Sequence, residues 1–159
     1  MPSQVSLLLI VAALGVCAYG AERRTEFPFG GKWITAQSGQ GNYRPALRLS
    51  REFVVEKPVK RAVLGATALG LYVPYVNGRE ITARRMMPGW TQYERRVPSQ
   101  EFDVTEFLRP GTNVVSALVG DGWYCSQISY VAAAFAQHEG RTGWGRHPRF
   151  RAELRIEYS

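Results

Sequence analysis

The chain has few side chains of the kinds that bind metals or form cross-links. Its 159 residues include only two cysteines and two histidines. Two cysteines provide neither a disulfide framework nor the repeated cysteine pairs of a zinc site. His138 and His147 share one glycine-rich segment, with no cysteine or aspartate beside them. We therefore predict no metal site, and we expect Cys125 to be a small core or interface residue.

The patterns of common catalytic sites are also missing. There is no Gly-x-x-x-x-Gly-Lys-Ser phosphate loop and no serine in a nucleophile elbow. A glycosidase needs two carboxylates across a cleft, and no such pair stands out. Most of the acidic residues alternate with apolar residues on predicted strands, which directs them to solvent. We predict no catalytic residues and a chain that is not an enzyme by itself.

Positive charge is in excess but is not concentrated in one run. The chain has 20 Lys and Arg against 13 Asp and Glu, a net charge of +7. The densest basic stretches are adjacent pairs, such as Arg23-Arg24, Arg84-Arg85 and Arg95-Arg96. A nucleic-acid site usually shows a dense basic patch, so nucleic acid is not an expected partner.

The first twenty residues contain no Lys, Arg, Asp or Glu. Their apolar run, Val5 to Val16, has the length of a signal-peptide core and is too short to span a membrane. We predict a signal peptide at 1–20 and a secreted or periplasmic protein with no membrane association after cleavage. An uncleaved anchor, a buried N-terminal strand and a lipoprotein site at Cys17 remain alternatives.

Six later segments have the apolar alternation or β-branched content that is typical of strands. They lie in one predicted domain at 32–159, after a linker at 21–31, and Gly (16) and Pro (9) are frequent enough for many short turns. These segments are 46–56, 59–68, 71–76, 93–102, 113–120 and 150–158. With further short strands, eight or nine in all, they predict an all-β fold: a jelly-roll-type β-sandwich with one short helical turn.

Four local signals refine this prediction. Asn77-Gly78 favours a two-residue hairpin turn, because both residues tolerate positive φ. Pro74 lacks a backbone N–H, so its strand should lie at an edge or carry a bulge. A charged interruption at Arg51-Glu52 suggests a bulge in the first strand. Asp103 is expected to cap a single helical turn that begins after it.

Aromatic residues are concentrated in or beside the predicted loops: Trp90, Tyr93, Trp123, Tyr124 and Trp144. Indole and phenol faces pack on the apolar C–H faces of sugars, and neighbouring Asn, Asp and Arg side chains can satisfy the hydroxyls. Arg95 has such a position. The candidate carbohydrate-binding residues are Asn77, Trp90, Tyr93, Asp121, Trp123 and Tyr124. The alternative is that Trp90 and Trp123 close the ends of the sandwich core.

Several motifs occur in a fixed order along the chain. They are Ala-Leu-Gly-Leu-Tyr (68–72), Val-Asn-Gly-Arg (76–79), Pro-Gly-Trp-Thr-Gln-Tyr (88–93), Phe-Asp-Val-Thr-Glu-Phe-Leu (102–108), Pro-Gly-Thr-Asn (110–113) and Gly-Asp-Gly-Trp-Tyr (120–124). Their order and spacing resemble the N-terminal β-sandwich domain of bacterial α-L-rhamnosidases, over about 33–158 of the chain.

The resemblance implies a jelly-roll module that precedes a larger catalytic region. In that family the catalytic acids lie on a later helical barrel, and the N-terminal module is thought to assist substrate recognition. The expected function is therefore a non-catalytic carbohydrate (rhamnoside) recognition or scaffold module of an α-L-rhamnosidase-like glycoside hydrolase. The alternative is a structural packing module for a separate catalytic domain, with no sugar binding of its own.

The expected partners are L-rhamnose-containing glycans or glycosides and a catalytic glycosidase domain. No cofactor is required by the residues themselves. Some related modules bind L-rhamnose through calcium, so the resemblance admits calcium, although no calcium ligand can be assigned to a residue of this sequence.

Overall fold

The computed structural model describes residues 30–36, 45–125 and 144–159. The predicted signal peptide, most of the predicted linker, Cys17 and His138 lie outside the described residues. Within the described ranges, no helix is both long and apolar enough to cross a membrane.

Seven strands form two antiparallel sheets. The strands are β1 (Leu47–Val55), β2 (Val59–Leu69), β3 (Leu71–Val76), β4 (Arg79–Glu80), β5 (Gln100–Asp103), β6 (Gly111–Gly120) and β7 (Arg149–Tyr158). One sheet has the order β1-β6-β3-β4 and the other β5-β2-β7. A 3₁₀ turn at Thr105–Phe107 and a helical turn at Gly122–Cys125 are the only helical elements of the described ranges. The predicted all-β sandwich is confirmed, with seven described strands where eight or nine were expected.

The core lies between the inner faces of the two sheets. Alternate residues of β2 point inward, and Ala62, Leu64, Ala66 and Ala68 are fully buried. The three alanines leave space for larger rings, and Tyr72 of β3 packs against Phe150 of β7 with ring centroids 5.5 Å apart. Burial of this apolar surface is the main force that holds the sheets together.

Two predictions about strand shape are wrong. β1 and β6 pair without interruption from Leu47↔Val119 to Val55↔Gly111, so Arg51 causes no bulge. Arg51 lies on the same face of β1 as Leu49 and Phe53. It is nevertheless exposed, because β1 is an edge strand of its sheet. The predicted strand at 93–102 begins only at Gln100. The amides of Arg95 and Arg96 both donate to the carbonyl of Gln92, at 2.9 and 3.1 Å, which closes a turn there instead.

Pro74 lies neither at a sheet edge nor at a bulge, contrary to expectation, because β3 lies between β6 and β4 and pairs with β6 without a register shift. On one side of β3, the amide of Tyr72 donates to the carbonyl of Met87 over 2.9 Å. Pro74 faces the same side, where its carbonyl accepts a bond of 3.3 Å from the amide of Ile81. β4 has ended at Glu80, so no strand at this point requires the N–H that proline lacks.

The Asn77-Gly78 hairpin is confirmed, with φ values of 50° and 79°. It lies at the end of the sandwich formed by 56–58, 77–80, 103–113 and 157–159, which we call the amide end. The Asn77 side chain is fully engaged there. Its Nδ2 donates to the carbonyl of Phe107 (2.8 Å), and its Oδ1 accepts from the amide of Val114 (2.9 Å).

A second asparagine, Asn113, completes the amide end. It is fully buried. Its Nδ2 donates to the carbonyls of Arg109 (2.7 Å) and Gly111 (2.9 Å), and its Oδ1 accepts from the amide of Arg109 (3.0 Å) and from Asn77 Nδ2 (2.8 Å). Every strong donor and acceptor of this buried amide therefore has a partner, as burial of a polar group requires.

The predicted capping role of Asp103 is displaced by one residue. Val104 occupies the N-cap of the Thr105–Phe107 turn. Asp103 precedes it, and its carboxylate accepts from both the amide (3.0 Å) and the hydroxyl (2.6 Å) of Thr105. These bonds lower the pKa of the Asp103 carboxyl, the hydroxyl bond having the larger effect.

Candidate functional site

The aromatic loops meet at the end of the sandwich opposite the amide end. The strand register places Leu71 beside Gly120, Leu69 beside Arg149 and Ala66 beside Gln100. Because all of these residues except Ala66 begin or end their strands, and Ala66 is three residues from the end of β2, the adjoining segments 88–99, 121–125 and 144–149 lie at the same end. We call these three segments the aromatic end.

Three rings form a cluster at the aromatic end, one from each segment. Tyr93 and Tyr124 meet edge to face, with centroids 5.1 Å apart and an interplanar angle of 71°. Tyr93 and Trp144 have centroids 5.0 Å apart and are tilted by 55°. Such geometries are the favoured ones for aromatic pairs. The cluster therefore joins three loops that are distant in the sequence.

Glycines permit this close approach. A Cβ atom on Gly145 would lie 2.2 Å from Cε1 of Tyr124, so only glycine fits against that ring. The amide of Gly145 also donates to the carbonyl of Tyr124 over 3.2 Å. Gly122 has a φ of 51°, and a Cβ there would lie 2.6 Å from Cγ of Leu71. The Gly122–Cys125 turn is thus seated directly on the start of β3.

The loop 88–99 is anchored at both of its ends. The Thr67 hydroxyl donates to the carbonyl of Pro98 (2.7 Å), and Gln100 Nε2 donates to the carbonyl of Pro88 (3.2 Å). The Met87-Pro88 peptide bond is cis. Between these anchors Trp90 is presented to solvent with 69% of its surface exposed. An exposed indole on an anchored loop can contact a ligand with little further ordering.

Two hydroxyl groups of the loop 88–99 are shielded from solvent. The hydroxyls of Thr91 and Tyr93 are buried, and neither has a hydrogen-bond partner within the described part of the chain. Burial raises the pKa of Tyr93, and the neighbouring Cys125 and Tyr124 add to the increase. The Tyr93 ring therefore packs within the aromatic end, whereas Trp90 of the same loop faces solvent.

Five of the six predicted site residues lie at the aromatic end, and one does not. Trp90, Tyr93, Asp121, Trp123 and Tyr124 belong to its segments. Asn77 lies at the amide end, where its side-chain amide bonds within the fold. The 69% exposure of Trp90 also excludes the alternative that it closes the core. Trp123 is half-buried and follows Asp121, whose carbonyl accepts from the amide of Cys125 over 3.1 Å.

Trp144 was not among the predicted site residues. It is 44% exposed and contacts Tyr93. The available signal was the pairing of an indole with Gly145 in a glycine-rich loop, because a glycine beside an aromatic residue often marks close ring packing.

No metal centre can be assigned to the described residues. Nowhere in 30–36, 45–125 or 144–159 do three His, Cys, Asp or Glu side chains lie together. Cys125 is buried and forms no disulfide. The side chains described thus do not form a calcium cluster, and calcium binding stays a prediction.

Comparison with known proteins identifies the domain. Residues 57–159 match the family described as the alpha-L-rhamnosidase N-terminal domain. An alpha-L-rhamnosidase of Streptomyces avermitilis is 41% identical over 115 residues, which cover 72% of this chain and 10% of that protein. The chain therefore spans about a tenth of the length of that relative.

Two crystal structures share the fold at recognisable identity. That of the Streptomyces avermitilis alpha-L-rhamnosidase complexed with L-rhamnose has a TM-score of 0.63 and 38% identity, and the match covers 73% of this chain and 11% of that one. That of an α-L-rhamnosidase from Aspergillus terreus has a TM-score of 0.69 and 27% identity, over 80% of this chain and 14% of that one. The chain belongs to the family of alpha-L-rhamnosidase N-terminal domains.

Proposed function

We propose that this domain is a non-catalytic module of an α-L-rhamnosidase and that its aromatic end binds rhamnosides. The observation that carries the proposal is the exposed indole of Trp90, which lies on an anchored loop whose Tyr93 packs against two other rings. L-Rhamnose is a 6-deoxy sugar, so its methyl group and C–H faces offer the apolar surface that an indole contacts. Trp144 adds a second partly exposed indole at the same end.

The roles of the other aromatic-end residues follow from their burial. Tyr93 and Tyr124 hold the three loops together through their rings. Asp121 and Trp123 are half-buried beside them and supply a carboxylate and an indole N–H for sugar hydroxyls. Asn77 has no role in this site because it lies at the other end of the sandwich.

Titration of the purified protein with L-rhamnose, methyl α-L-rhamnoside and rhamnose-containing glycans tests the proposal. Calorimetry and tryptophan fluorescence are to be recorded with calcium and with a chelator. We expect weak, enthalpy-dominated binding that falls about tenfold in Trp90→Ala, the loss expected for one aromatic contact. Tyr158→Ala is the matched control, because Tyr158 is an exposed aromatic residue at the amide end.

The absence of any response in both conditions would refute sugar binding and leave the packing role. That second candidate is favoured by a side groove of about 640 Å³ between the β1 and β7 edges. Its apolar lining includes Leu49, Phe53, Val115, Phe150, Leu154 and Ile156. A module that packs on a catalytic domain would bury such a surface, and binding would then require that domain as the added partner.

A further inference from the structure

We infer that the aromatic end selects anionic glycans, in which a carboxylate-bearing sugar neighbours rhamnose. This inference rests on the proposed function and concerns the same surface. A rhamnose ring is neutral, so an indole alone cannot distinguish a neutral rhamnoside from one joined to an acidic sugar. The distinction requires positive charge near the indole, and Arg95 and Arg96 are exposed on the same loop as Trp90.

The two ends of the sandwich differ in charge. Counting Lys, Arg, Asp and Glu, the aromatic end has four arginines against two acids, a net charge of +2. Its arginines are Arg95, Arg96, Arg146 and Arg149, and its acids are Glu94 and Asp121. The amide end has three basic residues against five acids, a net charge of −2. The counted segments at the two ends therefore differ by four charges, and the positive set includes the exposed indoles.

Arg95 and Arg96 are positioned by a rigid part of the loop. Their amides share the carbonyl of Gln92, and this turn encloses Tyr93, whose ring is packed against Tyr124. Both arginines are exposed. A guanidinium on such a base can bind a carboxylate through two parallel hydrogen bonds.

Two other ligand classes fit less well. A neutral rhamnan makes no use of these two exposed guanidinium groups. Single-stranded nucleic acid combines aromatic stacking with an extended positive groove that follows the backbone. Here the excess is only two charges, and Glu94 and Asp121 interrupt it. A polymer in which charges are separated by neutral sugars matches this spacing better than one with a phosphate at every unit.

The test uses one polymer in two chemical forms. Rhamnogalacturonan alternates rhamnose with galacturonate, and reduction of its carboxylates to primary alcohols gives a neutral polymer with the same backbone. Affinity is to be measured for both forms at about 50 mM and about 300 mM NaCl, which span the range in which exposed charges become screened. We expect about tenfold tighter binding of the carboxylated form at low salt and a smaller difference at high salt.

Two double variants test which arginines cause the preference for the carboxylated polymer. Arg95→Gln with Arg96→Gln removes two charges but keeps both backbone amides, so the turn at Gln92 is retained. This double variant should bind the carboxylated and the reduced polymer with equal affinity. Arg48→Gln with Arg51→Gln removes two exposed arginines of β1 and should retain the preference, with circular dichroism confirming that both variants fold.

The possible results separate this inference from the proposed function. Equal affinity for the two polymer forms, with measurable binding of L-rhamnose, overturns the inference alone. A preference that survives in the Arg95 and Arg96 double variant also overturns it. Equally tight binding of an oligodeoxynucleotide would overturn it by showing unselective attraction of anions. Failure of every rhamnose-containing ligand to bind refutes the proposed function itself.

Discussion

The two ends of the sandwich use polar and aromatic groups in opposite ways. At the amide end, Asn77 and Asn113 bond to each other and to the backbone. At the aromatic end, rings join the loops, Trp90 stands exposed, and two buried hydroxyls have no partner within the described chain.

This difference implies that the amide end mainly stabilises the fold, whereas the surface of the aromatic end is the part suited to recognition. A satisfied hydrogen-bond network in a buried site holds one geometry and offers nothing to a ligand. The exposed indole of Trp90 contributes little to the core but is accessible to a ligand. The comparison predicts that substitutions at the amide end change the free energy of unfolding, whereas those at the surface of the aromatic end change affinity.

Asn113→Ala should have the largest effect on stability. The substitution removes the four hydrogen bonds of a fully buried side chain, to Arg109, Gly111 and Asn77. Because each such bond contributes about 1 kcal/mol and the partners are only partly buried, we expect a loss of about 3 kcal/mol in the free energy of unfolding. Urea denaturation measures this loss, and the folded fraction should bind rhamnosides as the parent protein does.

Trp90→Ala is the counterpart at the other end. Because the indole is mostly exposed, its removal should change the free energy of unfolding by less than about 0.5 kcal/mol. The separation of roles would be disproved by a Trp90→Ala protein as unstable as Asn113→Ala, or by an Asn113→Ala protein whose folded fraction has lost rhamnoside binding.

Gly145→Ala tests the packing inside the aromatic end rather than its surface. The new methyl group would collide with the Tyr124 ring, and overpacking of this kind costs about 1–3 kcal/mol. We expect a changed near-ultraviolet circular dichroism spectrum from the displaced rings. Gly120→Ala is the matched control, since a Cβ at Gly120 meets nothing within 4 Å. Equal effects of the two substitutions would show that the ring contact is not what holds the loops.

The sequence was sufficient for the features that depend on local pattern. β7 alternates strictly, and the Asn77-Gly78 turn follows from the ability of both residues to adopt positive φ. Arg51 shows the limit of such patterns. A charge at an inward position signals a bulge only when that position is enclosed, and in β1 it opens onto the exposed edge of the sheet.

The site could be predicted only in part, because spacing along the chain does not reveal which loops share an end. Asn77 follows β3 and Asp121 follows β6, and these strands are antiparallel neighbours. Their following residues must therefore lie at opposite ends. The pairing of β3 with β6 belongs to the tertiary structure and cannot be predicted from the sequence of either strand alone. The turn around Tyr93 was missed for the same reason: anchors outside it, such as Thr67, shape the loop.

Extremes of pH provide the smallest and most specific test, because the two ends contain acids whose pKa values move in opposite directions. Hydrogen bonds from Thr105 lower the pKa of Asp103 from its ordinary 3.8, so its contribution to stability is present above that value and is lost as the pH falls through the folded-state pKa. Burial raises the pKa of Tyr93 from 10.0, so its contribution is present below that value and is lost as the pH rises through the folded-state pKa.

Acid should therefore loosen the amide end first, and alkali the aromatic end. Hydrogen exchange and side-chain NMR, followed residue by residue at both extremes, measure the order of opening. Asp103→Asn should remove part of the acid sensitivity, whereas Glu106→Gln, which changes an exposed carboxylate of the same turn, should not. Simultaneous opening of both ends in acid would mean that the sandwich responds as one unit, because the two ends would then be coupled through the core that Tyr72 and Phe150 share.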